Sequence, residues 1–149
     1  MRIPYNYTLI SAVASWFAAQ FIKTIIHAIK YKTFNPERLF GAGGMPSSHS
    51  ALVCAATLAC GRIEGIESVP FAIMFLVAMV VMYDAMGVRR SAGLHAREIN
   101  KLRDILMERN EINEKTKKLK EYIGHTPLEV LGGAMLGILI ALIMPVTIG

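Results

Sequence analysis

The chain has 149 residues, of which 54% are hydrophobic, and its mean hydropathy is +0.44. This composition is too apolar for an ordinary soluble domain and places the chain in the membrane class. The formal net charge is +5, and in a chain of this class we expect membrane lipids, not nucleic acid, as partners.

Three apolar stretches are long enough to cross a bilayer, which takes about 20 mostly apolar residues. They run from Tyr7 to Ile29, from Val69 to Val88 and from Pro127 to Ile148. A shorter fourth stretch, from Ser50 to Cys60 or slightly beyond, could form a thin or tilted span. The sequence therefore predicts an all-α integral membrane bundle of about four transmembrane helices, in a single domain over residues 1–149.

Basic residues are concentrated in two polar segments, which share one side of the membrane if the chain has four spans. The opposite side carries only Arg2 and Arg62. Cytoplasmic loops carry an excess of Lys and Arg. We therefore expect a multi-pass protein of the cytoplasmic membrane, with both basic segments and any site on them facing the cytoplasm. The basic residues of the two segments are Lys30, Lys32, Arg38, Arg89, Arg90, Arg97, Lys101, Arg103, Arg109, Lys115, Lys117, Lys118 and Lys120.

The first span carries two lysines. Lys23 lies inside the apolar stretch, where a charge is costly unless the side chain snorkels to the interface or faces a polar cavity. Lys30 lies at the end of the span, with six residues between it and Lys23. A snorkelling lysine with a positive-inside flank and an anion-binding pair are both open. Arg38 is a reserve candidate, since Pro36 and the following glycines keep it near His49.

A glycine-rich polar stretch precedes the second apolar segment: Gly43-Gly44-Met45-Pro46-Ser47-Ser48-His49-Ser50. Pro followed by Ser is typical of a helix start, where a Ser hydroxyl caps the first amides. A helix N-terminus suits a phosphate, and His49 in the first turn could exchange a proton with it. The alternative is a plain capped helix start with an incidental histidine.

The third span ends in a carboxylate followed by two arginines, Asp84, Arg89 and Arg90. This pattern indicates a paired charge site, and the planar arginine fork suits phosphate. A polar insertion of about residues 91–123 follows. From Ala96 to Tyr122 its apolar residues recur at helical spacing, which predicts a cytoplasmic basic amphipathic helix, or a helical hairpin broken near Asn110. We expect a structural role for it.

The last span begins at a short polar stretch. Thr126 and Glu129 form a capping box, with Pro127 at the first helical position. Glu129 lies four residues after His125, so its carboxylate could orient the imidazole. Further along, Gly133 and Gly137 make a face of small residues for close helix packing, through which two copies of the chain could associate.

These stretches resemble the conserved blocks of the type 2 phosphatidic acid phosphatase superfamily, which includes the vanadium haloperoxidases. Pro-Ser-Ser-His resembles its Pro-Ser-Gly-His block, with Ser48 in the place of Gly, and the wider stretch resembles a small divergent branch. Lys23 and Lys30 resemble its Lys-x6-Arg block, with Lys in the place of Arg.

The third block of the superfamily is matched in two halves. Arg89 and His95 fit its Arg-x5-His half, and the stretch at His125 resembles its second half, with Glu129 in the place of Asp. The insertion therefore splits the block, so that Arg89 supplies one half and His125 the other.

The resemblance implies the site and its chemistry. His125 would attack phosphorus, Glu129 would fix its tautomer, and His49 would protonate the leaving oxygen and then activate water. The remaining residues would bind phosphate or support the site, without any metal or cofactor. The phosphate-binding residues would be Lys23, Lys30, Ser47, Ser48, Arg89 and Arg90, and the supporting residues Asp84, His95 and Arg38.

Two functions follow from the resemblance. The first is a metal-independent lipid phosphatase acting on a phosphatidate-, phosphatidylglycerophosphate- or polyprenyl-phosphate-like substrate through a phosphohistidine. The alternative is a carrier or sensor of phosphorylated lipids that uses the same anion pocket without turnover. Vanadate-dependent halide oxidation fits poorly, because enzymes of that kind are usually large and soluble.

Overall fold

The computed structural model describes residues 6–32, 44–109, 117–121 and 124–146, and all regular secondary structure within them is helical. The described helices are α1 (Tyr7–Tyr31), α2 (Ser48–Glu64), α3 (Val69–Met86), α4 (Val88–Glu108) and α5 (Pro127–Ile143). Helices α1, α2, α3 and α5 form the bundle, with α2 in contact with the other three. The predicted all-α membrane bundle is confirmed.

Polar side chains set the starts of the helices. The hydroxyl of Ser47 accepts the N–H of Ser50 at the start of α2, and Thr126 accepts the N–H of Glu129 at the start of α5. Each bond satisfies one of the amides that a helix leaves without an internal partner. Both predicted caps are confirmed, and they fix the chain beside His49 and His125.

Small residues let α2 pack closely against its neighbours. Ala51, Ala55 and Ala59 of α2 are fully buried. A Cβ added at Gly133 of α5 would lie 2.2 Å from the carbonyl oxygen of Ser47, the N-cap of α2, and one added at Gly137 would lie 2.2 Å from that of Ala51 in α2. Only glycine permits this approach. The predicted close-packing face is confirmed, but it is occupied within one chain. An association of two copies of the chain through Gly133 and Gly137 stays a prediction.

The bundle is fastened at the end opposite to the histidines. The hydroxyl of Tyr7 donates to the carbonyl oxygen of Ala141, and the guanidinium of Arg62 donates to the same carbonyl. Arg62 also reaches the carbonyl oxygen of Met144 at 3.3 Å and lies over the Tyr7 ring at 5.4 Å from its centroid. Arg62 thus donates to the last carbonyls of α5, and its positive charge stabilises the negative end of the α5 dipole.

Among the described residues, two segments are long and apolar enough to cross a membrane, Tyr7–Ile29 and Val69–Glu108. The second segment contains both α3 and α4, and its apolar part is α3. Helices α2 and α5 have 17 residues each, or about 26 Å at 1.5 Å per residue. That length is slightly under the ~30 Å of a typical hydrocarbon core. Helix α2 can lie in the membrane with few large apolar side chains, because α1, α3 and α5 pack around it and bury many of its residues.

The amphipathic helix differs from its predicted bounds. Helix α4 begins at Val88, directly after Gly87 ends α3, so Arg89 and Arg90 belong to its first turn. After α4, residues 117–121 are not helical, which excludes a second helix of a hairpin over that range. Asn100 holds this segment instead: its amide donates to the carbonyl oxygen of Leu119 and accepts from the Leu119 N–H, both at 2.9 Å.

Candidate functional site

Four stretches of the chain meet at one end of the bundle. The N–H of Ser47 donates to the carbonyl oxygen of Glu129 at 2.9 Å, and the N–H of His125 donates to that of Ala85 at 3.0 Å. Gly124 has φ +104°, and a Cβ there would lie 2.4 Å from the backbone nitrogen of Arg90. Backbone contacts thus bring the starts of α2 and α5 to the junction of α3 and α4, and Lys23 of α1 completes the site.

Glu129 holds the imidazole of His125 and caps its own helix with one oxygen. Its Oε2 lies 3.2 Å from Nδ1 of His125 and accepts the N–H of Thr126 at 3.0 Å. Both functions that the sequence suggests for Glu129 are therefore present in the same geometry. With Nδ1 engaged by a carboxylate, Nε2 is the nitrogen left for chemistry.

The environment of His125 keeps its imidazole neutral. The side chain is 4% exposed and lies just before α5. Burial lowers the pKa of His125 below its ordinary value of 6.5, the hydrogen bond to Glu129 partly opposes this, and the charges of Lys23 and Arg89 lower the pKa further. At neutral pH the imidazole therefore donates Nδ1–H to Glu129 and presents a lone pair on Nε2.

His49 shares this electrostatic environment from the first turn of α2. Its side chain is exposed, and the charges that act on it are those of Arg89, His125, Lys23 and Asp84. His49 and His125 are far apart in sequence, but the charges of Lys23 and Arg89 act on both of them in the structure. A histidine so placed can exchange a proton with a group bound at His125.

The serines before His49 build the helix start. Ser47 is fully buried, its N–H is bound to Glu129, and its hydroxyl oxygen accepts the hydroxyl of Ser50 at 3.0 Å. Ser48 is 2% exposed. The helix gives no internal partner to the N–H groups of Ser48 and His49, so these amides, in preference to the Ser47 amide, can face an anion.

Lys23 is buried in the bundle. Its side chain is 5% exposed, and its Cγ and Cδ lie 3.5 and 3.6 Å from the position that a Cβ on Gly44 would take. This placement fits the polar-cavity alternative, not the snorkelling one. Lys30 lies in the last turn of α1, about 10 Å further along the axis at 1.5 Å per residue. Arg38 lies outside the described residues.

Arg89 forms the predicted pair with Asp84, at 2.7 Å between Nε and Oδ2. Because the contact uses Nε, the two terminal nitrogens of the guanidinium are left for a ligand. Arg89 acts electrostatically on both histidines. His95 is exposed on α4 and is not among the groups that act on either of them. The structure thus joins Arg89 with His125, as the split third block implies.

A cleft of about 440 Å³ opens beside His125. Sequence reasoning identified Arg90, His125 and Glu129 in it but missed Arg97 and Glu121. The spacing of seven between Arg90 and Arg97 on one helix face was a signal for the former. Nothing in the sequence brings Glu121 to this place. The cleft is lined by Gly44, Arg90, Gly93, Leu94, Arg97, Glu121, Gly124, His125, Thr126 and Glu129.

The arrangement can bind a phosphoryl group and react with it. A neutral imidazole with a carboxylate behind it is a nucleophile, and a second histidine can carry the proton. Lys23, Arg89 and the amides at the start of α2 supply positive charge. Within the described ranges, no three or more His, Cys, Asp or Glu side chains gather as ligands of a metal ion.

Comparison with known proteins finds one family and one curated relative. Residues 5–140 match the family model described as the Divergent PAP2 family. The uncharacterized membrane protein YuiD of Bacillus subtilis (strain 168) is 40% identical over an alignment of 153 positions, which includes 97% of this chain and 97% of that protein. No solved structure matches the chain. The family match spans every stretch that meets at the histidines.

Proposed function

Because this chain belongs to the Divergent PAP2 family, we propose that it is a membrane phosphatase that hydrolyses a phosphorylated lipid through a phosphohistidine on His125. The observation that carries this proposal is the contact of 3.2 Å between Nδ1 of His125 and Oε2 of Glu129, in a site where two cations also face His49. Binding alone requires positive charge, whereas a carboxylate behind a neutral imidazole is what a nucleophile requires.

In the first step, Nε2 of His125 attacks the phosphorus of a lipid phosphomonoester. A nitrogen–phosphorus bond forms, and the bond between phosphorus and the lipid alcohol oxygen breaks. The negative charge of the bound phosphate favours the protonated form of His49. His49 then gives its proton to the departing oxygen, so the lipid leaves as a neutral alcohol. Glu129 keeps its hydrogen bond to Nδ1–H and stabilises the positive charge that the phosphorylated imidazole acquires.

In the second step, water attacks the phosphohistidine. His49, now neutral, accepts a proton from the water, the nitrogen–phosphorus bond breaks, and its electron pair returns to Nε2 of His125. Inorganic phosphate leaves, and both histidines regain their starting protonation states. The same imidazole of His49 therefore serves as acid and then as base.

The surrounding donors stabilise charge on the oxygens of the transferred group. Lys23 and Arg89 act on both histidines, so a phosphoryl group held between the imidazoles lies in their field. The N–H groups of Ser48 and His49 add the positive end of α2. In phosphoryl transfer, positioning and charge stabilisation of this kind provide most of the rate enhancement.

The proposal includes a location. The protein would lie in the cytoplasmic membrane with the histidine end of the bundle facing the cytoplasm, because that end carries the basic α4 and the basic segment after it. The far end has Arg62, whose guanidinium is bound to the carbonyls of α5. Substrate would then reach the site from the inner leaflet.

The test is phosphate release by the purified protein in detergent from a panel of lipid phosphates, with and without a chelator. The mechanism uses no metal, so we expect release with EDTA present and inhibition by vanadate, which adopts the five-coordinate geometry of the transition state. A strict requirement for added magnesium would contradict the proposal. Lipid binding without any phosphate release would favour the carrier.

A further inference from the structure

A second cavity lies between α1 and α3, in the half of the bundle away from the histidines. Among the described residues, no Cα of α1 lies within 8 Å of a Cα of α3. The gap between these helices is a groove of about 680 Å³. Its floor is one face of α2, on which the lining residues recur at spacings of four and three. These floor residues are Leu52, Ala56, Cys60 and Ile63.

The dimensions of this groove suit a single hydrocarbon chain. Glu64, at its far end, follows Leu52 by twelve residues, which is about 18 Å at 1.5 Å per residue. Half of a typical hydrocarbon core measures about 15 Å. The volume of 680 Å³ divided by that length gives a mean cross-section of about 38 Å², roughly 7 Å across. A helix with its side chains is about 10–12 Å wide and cannot enter, whereas one acyl chain fits.

The groove is apolar along α2 and polar at the end away from the histidines. Asn6, Thr8 and Glu64 line it there, where α1 begins and α2 ends. Oδ1 of Asn6 accepts the N–H of Leu9 at 2.9 Å, which leaves the side-chain nitrogen of Asn6 to donate to a ligand. The Thr8 hydroxyl is a second donor. An apolar channel with hydrogen-bonding groups at one end matches the two parts of a membrane lipid.

Glu64 adds a negative charge to the polar end. Its side chain is exposed and forms no ion pair with a described cation. Because Glu64 is the last residue of α2, it lies at the negative end of the helix dipole, which disfavours a carboxylate. Arg62, two residues earlier, is bound to carbonyls of α5 instead. A cationic group on a ligand would therefore compensate the charge of Glu64.

We infer that this groove binds one acyl chain of a membrane phospholipid whose headgroup carries a primary ammonium. The chain lies along Ala56 and Cys60, the ammonium donates to Glu64, and Asn6 and Thr8 donate to the lipid phosphate. This lipid belongs to the leaflet opposite to the histidines and is not the substrate, so the inference does not depend on the proposed function. Its chain fills the gap between α1 and α3.

The test is native mass spectrometry of the full-length protein in micelles with equal amounts of phosphatidylethanolamine and phosphatidylcholine of the same chains. The second lipid has the same phosphate, but its quaternary ammonium has no N–H to donate. We expect about two- to fivefold more of the first lipid on the protein, the range of an exposed charge pair, and equal amounts on Glu64→Gln. Glu67→Gln is the matched control: Glu67 is exposed at the same end but does not line the groove, so this variant should keep the preference.

The place of the acyl chain is measured separately. Phosphatidylethanolamine with a photoactivatable group near the end of one chain should label α2 between Leu52 and Ala56. Equal amounts of both lipids on wild type, or the same loss of preference in Glu67→Gln as in Glu64→Gln, would overturn the inference. Label confined to the exposed side of α3 would also overturn it. If instead wild type is a dimer that Glu64→Gln dissociates, the groove is an interface between two copies and the lipid assignment is wrong.

Discussion

Oε2 of Glu129 lies 3.2 Å from Nδ1 of His125 and 3.0 Å from the backbone nitrogen of Thr126. The capping box of α5 thus holds the carboxylate in place, and the carboxylate holds the imidazole. Because the N–H of His125 is also bound to Ala85 at the end of α3, the backbone and the side chain of this histidine are fixed separately. An orientation fixed in this way is what a nucleophile requires.

Glu129→Gln separates the two functions of this carboxylate. The Gln oxygen can still accept the N–H of Thr126, so we expect the protein to lose about 1 kcal/mol of stability or less. Turnover should fall by about three to four orders of magnitude, as loss of an orienting carboxylate does elsewhere. Phosphate release and thermal unfolding in detergent measure the two effects.

Thr126→Ala is the control for the cap. It removes the hydroxyl that accepts the N–H of Glu129 at 3.3 Å but leaves the His125 contact, so it should cost about 1 kcal/mol of stability and little turnover. If Thr126→Ala and Glu129→Gln reduced turnover equally, Glu129 would act only as a cap.

The lowered pKa of His125 predicts the acid side of the pH profile. The nucleophile is the neutral imidazole, so kcat/KM should fall as the pH drops through the pKa of His125 in the free protein. Burial places that pKa below 6.5, and the loss of activity should be centred below that pH. Since the Glu129 hydrogen bond raises the pKa, Glu129→Gln should shift the imidazole titration, followed by NMR, to still lower pH. A shift upward would contradict this account.

Close packing of α5 on α2 predicts different outcomes at neighbouring glycines. In Gly137→Ala the new Cβ would lie 2.2 Å from the carbonyl oxygen of Ala51, a backbone atom. We expect a loss of about 1–3 kcal/mol from overpacking, measured by thermal unfolding in detergent. In Gly132→Ala the nearest atom is the end of the Met45 side chain at 3.1 Å, which can move aside. That control should be neutral or stabilising, since alanine favours a helix; equal losses at both sites would contradict the packing.

The orientation of the bundle can be tested by cysteine labelling in a variant without Cys54 and Cys60. Ser91 is exposed on α4 and Glu67 is exposed between α2 and α3, at the opposite end. If the histidine end faces the cytoplasm, Ser91→Cys should resist an impermeant thiol reagent in intact cells and Glu67→Cys should react. The reverse pattern would place the site outside and move the substrate to the outer leaflet.

Local rules in the sequence were sufficient for the parts of the site that lie within one turn of a helix. The Ser47 cap of α2 and the capping box of α5 depend on spacings of three residues, and the pairing of His125 with Glu129 depends on a spacing of four. These contacts could be predicted because the start of a helix supplies their geometry. The charged pair of Asp84 and Arg89 is also close in sequence, but it joins the end of α3 to the first turn of α4.

Contacts between distant segments could not be predicted in this way. Residues 117–121 join the cleft because Asn100 binds the backbone of Leu119, and no periodicity in the segment indicates that bond. The glycine face of α5 was predicted, but whether it meets α2 or a second chain depends on the packing of the whole bundle. The resemblance supplied the link between Arg89 and His125, which sequence separation alone conceals.

The measurement that tests the central claim most directly is a search for phosphohistidine in the protein after brief reaction with a labelled lipid phosphate. The quench should be alkaline, because nitrogen–phosphorus bonds are labile in acid. We predict one labelled histidine in wild type, no label in His125→Ala, and slower formation and slower decay of the label in His49→Ala. Phosphate release by wild type without any labelled intermediate, or a label that persists in His125→Ala, would contradict the account.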